Sequence, residues 1–441
     1  MYLAPSMDLK MVVNDQRKKK VPQRKRRTRR RQTKLPYEDL LDEIVWEILI
    51  RLPVESLVRF KLVSKAWRSI ISDPVFVRAH LHYSKQKHHS SLSFLIIPQI
   101  YLEPDPSHIV STNIRFYHCS LQQQQQQDDT MSGSASASLL YGKHFEAGEF
   151  ELVSQMAHCD GLVLLPTDTN TYIFNPAMRD VLELPKSHRN IVQHSVVPIG
   201  FGVDPSTGRY KVVRSFYYCI YHSSDCHHIA MGMEVFTIND GQNGSWRETL
   251  INPPALILRA HTAIHCKGCL FYYIDRESHP CATRVLLRFS LADETFGFTP
   301  LLPSMDTQVE DEDIMVHELD GELCATFFSK VVRQVLIWMT NDVLDPQWKC
   351  HRIINFPEQC YPIASLSHDG VLLRRCNSLF RYYFKAKGVK EEETLGIDDL
   401  RFIGPTDDIM GHAWENVCWF DLLLYTESLV PITHKAGLQA L

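Results

Sequence analysis

Between residues 35 and 85 apolar positions recur every three or four residues, and beyond residue 90 they come in short runs rich in Val, Ile, Phe and Tyr. The first pattern predicts helices and the second predicts strands. Leu40, Leu41, Ile44, Ile48, Leu49 and Leu52 mark a first helix. Pro53 ends it, because its ring disfavours helical geometry at Leu52 and it has no N–H to give. Val54, Leu57, Val58 and Leu62 mark a second helix. Ser64 is placed to cap a third, whose inward side is Trp67, Ile70 and Ile71. Asp73-Pro74 is a restart signal, a cap followed by proline at the first helical position. Three short helices in about 40 residues cannot build a large core alone. Yet the segment carries more apolar positions than one inward face needs. The surplus requires a second buried face, from a partner or from the rest of the chain.

The strand-like runs include GLVLL (161–165), TYIFN (171–175), RYKVVRSFYY (209–218), MEVFTI (233–238), LFYYI (270–274), VLLRFSL (285–291), VLIWM (335–339) and SLFRYY (378–383). Gly, Pro, Asn and Asp separate them, as in an all-β sandwich, barrel or propeller. Strands follow turns at Asp160-Gly161, Lys267-Gly268, Asp320-Gly321 and Asp369-Gly370, and a related unit starts at Gly200-Phe201-Gly202. A repeat of about 50 residues, with several strands in each, points to propeller blades. One interval is lengthened by a polar, His-rich insert near 222–228. Trp246, Phe298 and Trp348 stand near the ends of units, where an aromatic can wedge between neighbouring sheets. Strands at 92–97 and 114–118, with C-terminal strands near 417–425, are expected to close a ring of about six blades. A sandwich or irregular stack is the alternative.

The stretch EILIRLPVESLVRFKLVSKAWRSIISDPVFVRAHL resembles an F-box of the plant type. The resemblance implies docking to a Skp-type adaptor and, through it, to a cullin–RING ubiquitin ligase. It assigns Ile48, Leu49, Leu52, Pro53, Val54 and Leu57 to the adaptor-facing surface, and Val63, Trp67 and Ile70 to holding the three helices together. In one place the sequence departs from the family. Leu40-Leu41 stands where the family has Leu-Pro, and a Leu35-Pro36 pair lies further upstream. The first helix is therefore expected to start earlier or to carry an extra turn.

The segments CDGLVLL, TYIFNPAMRDVLELP, GFGVDPSTGRYKVVRSF, MEVFTINDGQNGSWRE and WFDLLLYTESLVPI resemble the plant F-box-associated, kelch-related domain. Asn175-Pro176 and Asp204-Pro205-Ser206-Thr207-Gly208 are its best markers. From their residue types these are turns, hence structural.

Composition then separates one segment from the rest. The 441 residues carry a formal net charge of −4, from 47 basic and 51 acidic side chains. Twelve of the basic ones lie between Arg17 and Lys34, leaving 35 against 51 elsewhere. Residues 1–34 thus read as a disordered basic arm on an acidic body. Lys18, Lys19 and Lys20 form one cluster, and Arg24, Lys25, Arg26, Arg27, Arg29, Arg30 and Arg31 a second. Two clusters with a short spacer suit a nuclear import receptor. No aromatics interleave with them, so nucleic-acid stacking is not supported.

The remaining organisation is an F-box module at 35–85, a β domain at 90–430 with a low-complexity loop at 121–138, and a C-terminal tail at 431–441. The loop contains six consecutive glutamines. No run approaches the ~18 apolar residues of a membrane span. Twelve cysteines without an export signal read as reduced, mostly buried thiols of a cytosolic or nuclear protein. Cys266 and Cys269, beside His265, have the spacing of half a zinc site but lack a second pair, so they read as thiols flanking a β-turn. The acidic run Glu310–Asp313 reads as a solvated loop. No catalytic or cofactor motif appears, and neither a cofactor nor a metal is expected. The expectation is a non-catalytic substrate-recognition subunit of an SCF-type ubiquitin ligase, in the nucleus and also the cytoplasm. The alternative is a protein-interaction scaffold or nuclear regulator outside any ligase.

Overall fold

The computed structural model describes residues 37–86, 91–100, 111–122, 136–146, 149, 155–167, 169–189, 198–223, 226–239, 244–257, 262–274, 284–301, 314–356, 358–366, 369–376, 378–384, 391–396, 401–403 and 417–432. The import clusters, the glutamine run after Gln122 and the acidic run Glu310–Asp313 lie outside them.

Four helices come first: α1 (Tyr37–Leu49), α2 (Val54–Phe60), α3 (Lys65–Ser72) and α4 (Pro74–Gln86). α1 is already helical at Tyr37, upstream of Leu40-Leu41, so the first helix starts earlier than the family pattern places it. Pro53 separates α1 from α2 as its chemistry requires. Ser64 caps α3, its Oγ accepting from the Trp67 N–H at 3.1 Å. Asp73 does the same for α4 through the Val75 N–H at 2.6 Å. The restart signal therefore opens a fourth helix beside the three expected.

The strands form six sheets. The first holds β4 (Ala157–Cys159), β5 (Leu162–Pro166), β6 (Thr171–Asn175) and β7 (Asp180–Glu183). The second holds β8 (Ile199–Val203), β9 (Tyr210–Ser223), β10 (Cys226–Thr237) and β11 (Arg247–Glu248). The third holds β12 (Ile264–Cys266), β13 (Cys269–Tyr273), β14 (Val285–Ser290) and β15 (Phe296–Pro300). The fourth holds β16 (Ile314–Leu319), β17 (Glu322–Ser329), β18 (Gln334–Thr340) and β19 (Lys349–Asn355). The fifth holds β20 (Tyr361–Leu366), β21 (Gly370–Arg375), β22 (Ser378–Tyr383) and β23 (Glu391–Gly396). Each is an antiparallel meander.

The sixth sheet joins the two ends of the domain. Its order is β24-β3-β2-β1-β25, with β1 (Ser91–Ile100), β2 (Asn113–Gln122), β3 (Ser136–His144), β24 (Arg401–Ile403) and β25 (Val417–Leu424). β25 pairs antiparallel with β1 from Phe94↔Leu424 onward. β2 and β3 also reach into the segment read as a low-complexity loop, which therefore is shorter than 121–138.

Six apolar clusters show that the sheets form a ring, one between each consecutive pair. Leu164 and Ile173 meet Phe201 and Val212 between the first and second sheets. Val213 and Met233 meet Leu270 and Leu287 between the second and third. Phe271 and Leu286 meet Val316 and Leu323, and Val335 and Ile337 meet Val371 and Leu373. Leu372 and Leu379 meet Phe94 and Tyr117 of the closing sheet. The closing sheet's other face, with Leu95 and Phe116, meets Val163 and Phe174 of the first. The domain is a six-bladed β-propeller. This packing explains runs such as GLVLL, which are apolar at every position. Side chains alternate across a strand, and here both faces are covered. Leu162 and Leu164 face the second sheet, while Val163 and Leu165 face the closing one.

The recurring glycine turns join the first two strands of a blade. Cys159↔Leu162, Cys266↔Cys269 and Leu319↔Glu322 close two-residue loops. Both central residues have positive φ: 53° and 78° at Asp160-Gly161, 49° and 72° at Lys267-Gly268, 52° and 81° at Asp320-Gly321. That is the primed-turn geometry that matches the strand twist and favours Gly second. Gly200 and Gly202 differ. They lie within β8, where a Cβ would strike Tyr272 or the His265 ring of the next blade.

Trp246 and Trp348 wedge between sheets as expected. The Trp246 indole N–H donates to the Pro185 carbonyl at 2.6 Å, and Trp348 to that of Pro300 at 2.9 Å, each in the preceding blade. Phe298 does not: it lies within β15 and is partly exposed, because residue alternation there turns it outward. The described backbone of the His-rich insert, His222–Ser223 and Cys226–His228, belongs to the outer part of the β9–β10 hairpin. The expected tail also starts late. Ile432 is buried against the first two blades.

Candidate functional site

α2 and α4 are tied to one end of the propeller by polar contacts. The Val54 N–H, at the start of α2, donates to Glu427 Oε2 at 2.7 Å. A carboxylate there also complements the positive end of the helix. Lys85 of α4 pairs with Asp160 at 2.5 Å, and Asp160 further accepts from the Tyr210 hydroxyl at 2.9 Å. His80, buried in α4, bonds through Nε2 to the Leu52 carbonyl at 2.9 Å and stacks on Phe76. It thereby holds the Leu52-Pro53 corner where α1 has ended.

The segment after β25 completes this seat. Buried Asn175 donates through Nδ2 to the carbonyls of Ser428 (3.0 Å) and Val430 (2.9 Å), and accepts from the Met178 N–H at 3.2 Å. Gly161 lets Thr426 and Ser428 approach, since a Cβ there would overlap both. The Asn175-Pro176 marker is thus a turn that also clamps the C-terminal segment. Asp204 organises the other marker, accepting from Ser206 and Thr207, and pairs with Lys211 at 3.0 Å. Burial pushes its carboxyl up, but the bonds from Ser206, Lys211 and Thr207 outweigh this and hold it below the usual range.

The six positions assigned to the adaptor divide. Ile48 is 56 % exposed, Pro53 is exposed and Leu52 is half-buried. Leu49, Val54 and Leu57 are buried within this chain and present no outward face. Helix alternation explains the split, because Ile48 and Leu49 stand about 100° apart around α1. Val63 also departs from its assignment. It is 64 % exposed, and Leu62 beside it is 88 % exposed. α2 ends at Phe60, so the helical spacing that would turn Leu62 inward is broken, and both residues lie in the following turn. Trp67 and Ile70 are half-buried, with Trp67 packed on Phe60 at 5.1 Å, and Ile71 is the fully buried residue of α3. Leu62 was legible only as an inward position, and an early helix end was the signal missed.

Strand direction separates the two ends of the ring. β4 leads into the Asp160-Gly161 turn, which meets Lys85, so every turn after the first strand of a blade lies at the helix-bearing end. Turns after the second strand lie at the other end. There the Ser329–Gln334 turn holds Val331 and Val332 exposed, and Leu250 and Ile251 stand exposed after β11.

Among the described residues no group of three or more His, Cys, Asp or Glu side chains could hold a metal ion. Cys266 and Cys269 face each other across their turn, both buried, and burial pushes the Cys266 thiol up to about 12. Of the eight cysteines whose side chains are described, all free, only Cys350 and Cys376 are exposed.

Residues 35–78 match the family model for the F-box domain, and residues 108–371 that for the F-box associated beta propeller domain. The chain is a plant F-box protein carrying an F-box-associated β-propeller. It is 29 % identical over 291 residues to a putative F-box protein of Arabidopsis thaliana, covering 66 % of this chain and 65 % of that relative. It is 26 % identical over 421 residues to an Arabidopsis thaliana F-box/LRR-repeat/kelch-repeat protein, covering 90 % of this chain and 99 % of that one. Among solved structures it is similar to AofleA from Arthrobotrys oligospora, with a TM-score of 0.35 and 9 % identity over 70 % of this chain and 91 % of that chain.

Proposed function

We propose that this F-box protein is the substrate-recognition subunit of an SCF-type cullin–RING ubiquitin ligase. The F-box docks a Skp-type adaptor, and the propeller holds a protein substrate. The observation that carries this reading is the set of apolar side chains that the F-box leaves in solvent: Ile48, Leu62 and Val63, together with exposed Pro53. Burying a side chain of this size contributes about 1.5–3 kcal/mol, so a partner that covers several gains a stable seat. The subunit itself makes and breaks no bonds. It raises the effective concentration of a substrate lysine near a charged ubiquitin-conjugating enzyme.

The test is an adaptor pull-down with Leu62→Glu combined with Val63→Glu. Both side chains are exposed, so the variant keeps its fold and its melting transition. Loss of adaptor binding is expected, and retained binding overturns the reading. Leu57→Glu is the wrong test, because it would place a charge in a buried position and unfold the module.

The basic arm belongs to the same proposal, as the element that brings the receptor into the nucleus. Deleting Arg17–Lys34 from a fluorescently tagged chain is expected to shift it to the cytoplasm. Unchanged nuclear fluorescence removes the arm from the proposal.

A further inference from the structure

α2 lacks a cap of its own. Pro53 stands at its capping position, and a proline ring carries no oxygen to accept a helix N–H. The first turn of any helix leaves such N–H groups without an intrahelical partner. Here the Val54 N–H donates to Glu427 Oε2 at 2.7 Å, a residue 373 positions away in the segment that follows β25. The first blade places that segment. Thr426 and Ser428 lie so close to Gly161 that a Cβ there would stand 2.2 Å from the Thr426 carbonyl oxygen and 2.9 Å from the Ser428 Cβ. Asn175 of β6 holds the Ser428 carbonyl as well, at 3.0 Å.

The neighbouring residue of the same turn makes a second connection. Asp160 accepts from Lys85 near the end of α4. Five residues earlier on that helix, His80 bonds through Nε2 to the Leu52 carbonyl. A carbonyl only accepts, so Nε2 carries the proton. Positions 80 and 85 stand about 140° apart around a helix and ~7.5 Å apart along it. One side of α4 therefore holds the Leu52-Pro53 corner while another reaches the propeller.

The two connections differ in weight. The Lys85 side chain is 51 % exposed, so its ion pair is screened by water and contributes little. The Glu427 bond is charge-assisted and part-buried, which makes it the stronger of the two.

We propose that Glu427 is a positioning residue for adaptor recognition, which makes the adaptor-facing surface dependent on closure of the propeller ring. This rests on the reading that the F-box docks an adaptor. β25 closes the ring by pairing with β1 and leads straight into Thr426–Ser428. With that segment seated on the first blade, the start of α2 is paired and exposed Pro53 is fixed beside it. With the segment released, the Val54 N–H loses its partner and the corner loosens. The adaptor binds the seated state more tightly, and by linkage its binding holds the segment on the first blade.

The test is hydrogen exchange, read by mass spectrometry, on the full chain. In Glu427→Ala the amides of α2 are expected to exchange about tenfold faster, the effect of one charge-assisted bond, while β5 and β6 exchange as before. Glu427→Gln keeps an oxygen for the Val54 N–H and is expected to restore most of the slow exchange. Asn175→Ala, which changes only the first blade, is expected to loosen α2 as well. A Skp-type adaptor added to the unchanged chain is expected to slow exchange at residues 425–430, and to bind Glu427→Ala about tenfold more weakly. The proposal is overturned if α2 exchanges equally in the unchanged chain and in Glu427→Ala, or if Glu427→Gln is as fast as Glu427→Ala. Acceleration spread evenly over the propeller also overturns it, because Glu427 would then be merely structural. An adaptor that does not bind the unchanged chain removes the ligase reading and the positioning role with it. Equal binding to the unchanged chain and to Glu427→Ala removes the positioning role alone.

Discussion

His317 of β16 shows what burial does to a single ionisable group. Among the described residues neither ring nitrogen has a hydrogen-bond partner, and desolvation holds its pKa down at about 4. The unfolded chain takes up that proton near the ordinary value of 6.5. Stability from this residue is therefore complete above pH 6.5 and is lost as pH falls toward 4. His317→Leu is expected to remove about 2 kcal/mol of the destabilisation between pH 7 and pH 5. Urea denaturation of both proteins at the two pH values checks this, and an equal loss in both would contradict it. The same scale governs the F-box surface. Leu49, Val54 and Leu57 have the residue types of an adaptor contact, but their apolar surface is already used inside the chain.

Blades are specified by short local signals that agree with one another. An Asp-Gly or Lys-Gly turn, an apolar run and a closing aromatic together mark a meander, and each lies within a few residues of the next. What such signals omit is any contact made outside the blade. Asn175 illustrates this: as a turn residue it was legible, but its two bonds to Ser428 and Val430 span more than half the chain. Asn175→Ala leaves two carbonyls and the Met178 N–H without that partner, at a cost of about 2 kcal/mol. The midpoint of urea unfolding should fall accordingly, while β6 and β7 keep their pairing. The length of the β9–β10 hairpin was likewise hidden, because a histidine-rich stretch carries weak strand propensity and the ladder around it decides its state.

At the scale of the whole molecule the ring depends on its closing sheet. β25, from the end of the domain, pairs with β1, from its beginning, so each terminus supplies the edge the other lacks. Removing residues 417–441 should expose the β1 edge and both faces of the closing sheet. The expected result is loss of a cooperative thermal transition and binding of a hydrophobic dye. A sharp transition in the truncated chain would mean that the ring closes by some other route. The F-box shares this dependence, because Glu427 and the Asp160 turn that hold α2 and α4 are placed by the closed ring.

The order of helices and strands, the glycine turns, the closing aromatics at Trp246 and Trp348, and the F-box pattern were all set by neighbours within one or two turns of chain. Short-range sterics, capping and periodicity act at that distance, so the sequence alone determined them. Which leucines stay in solvent and where the clamp on the C-terminal segment lies depend on contacts between residues hundreds of positions apart. Tertiary structure alone decided those, because apolar surface has no preferred cover until folding brings one beside it.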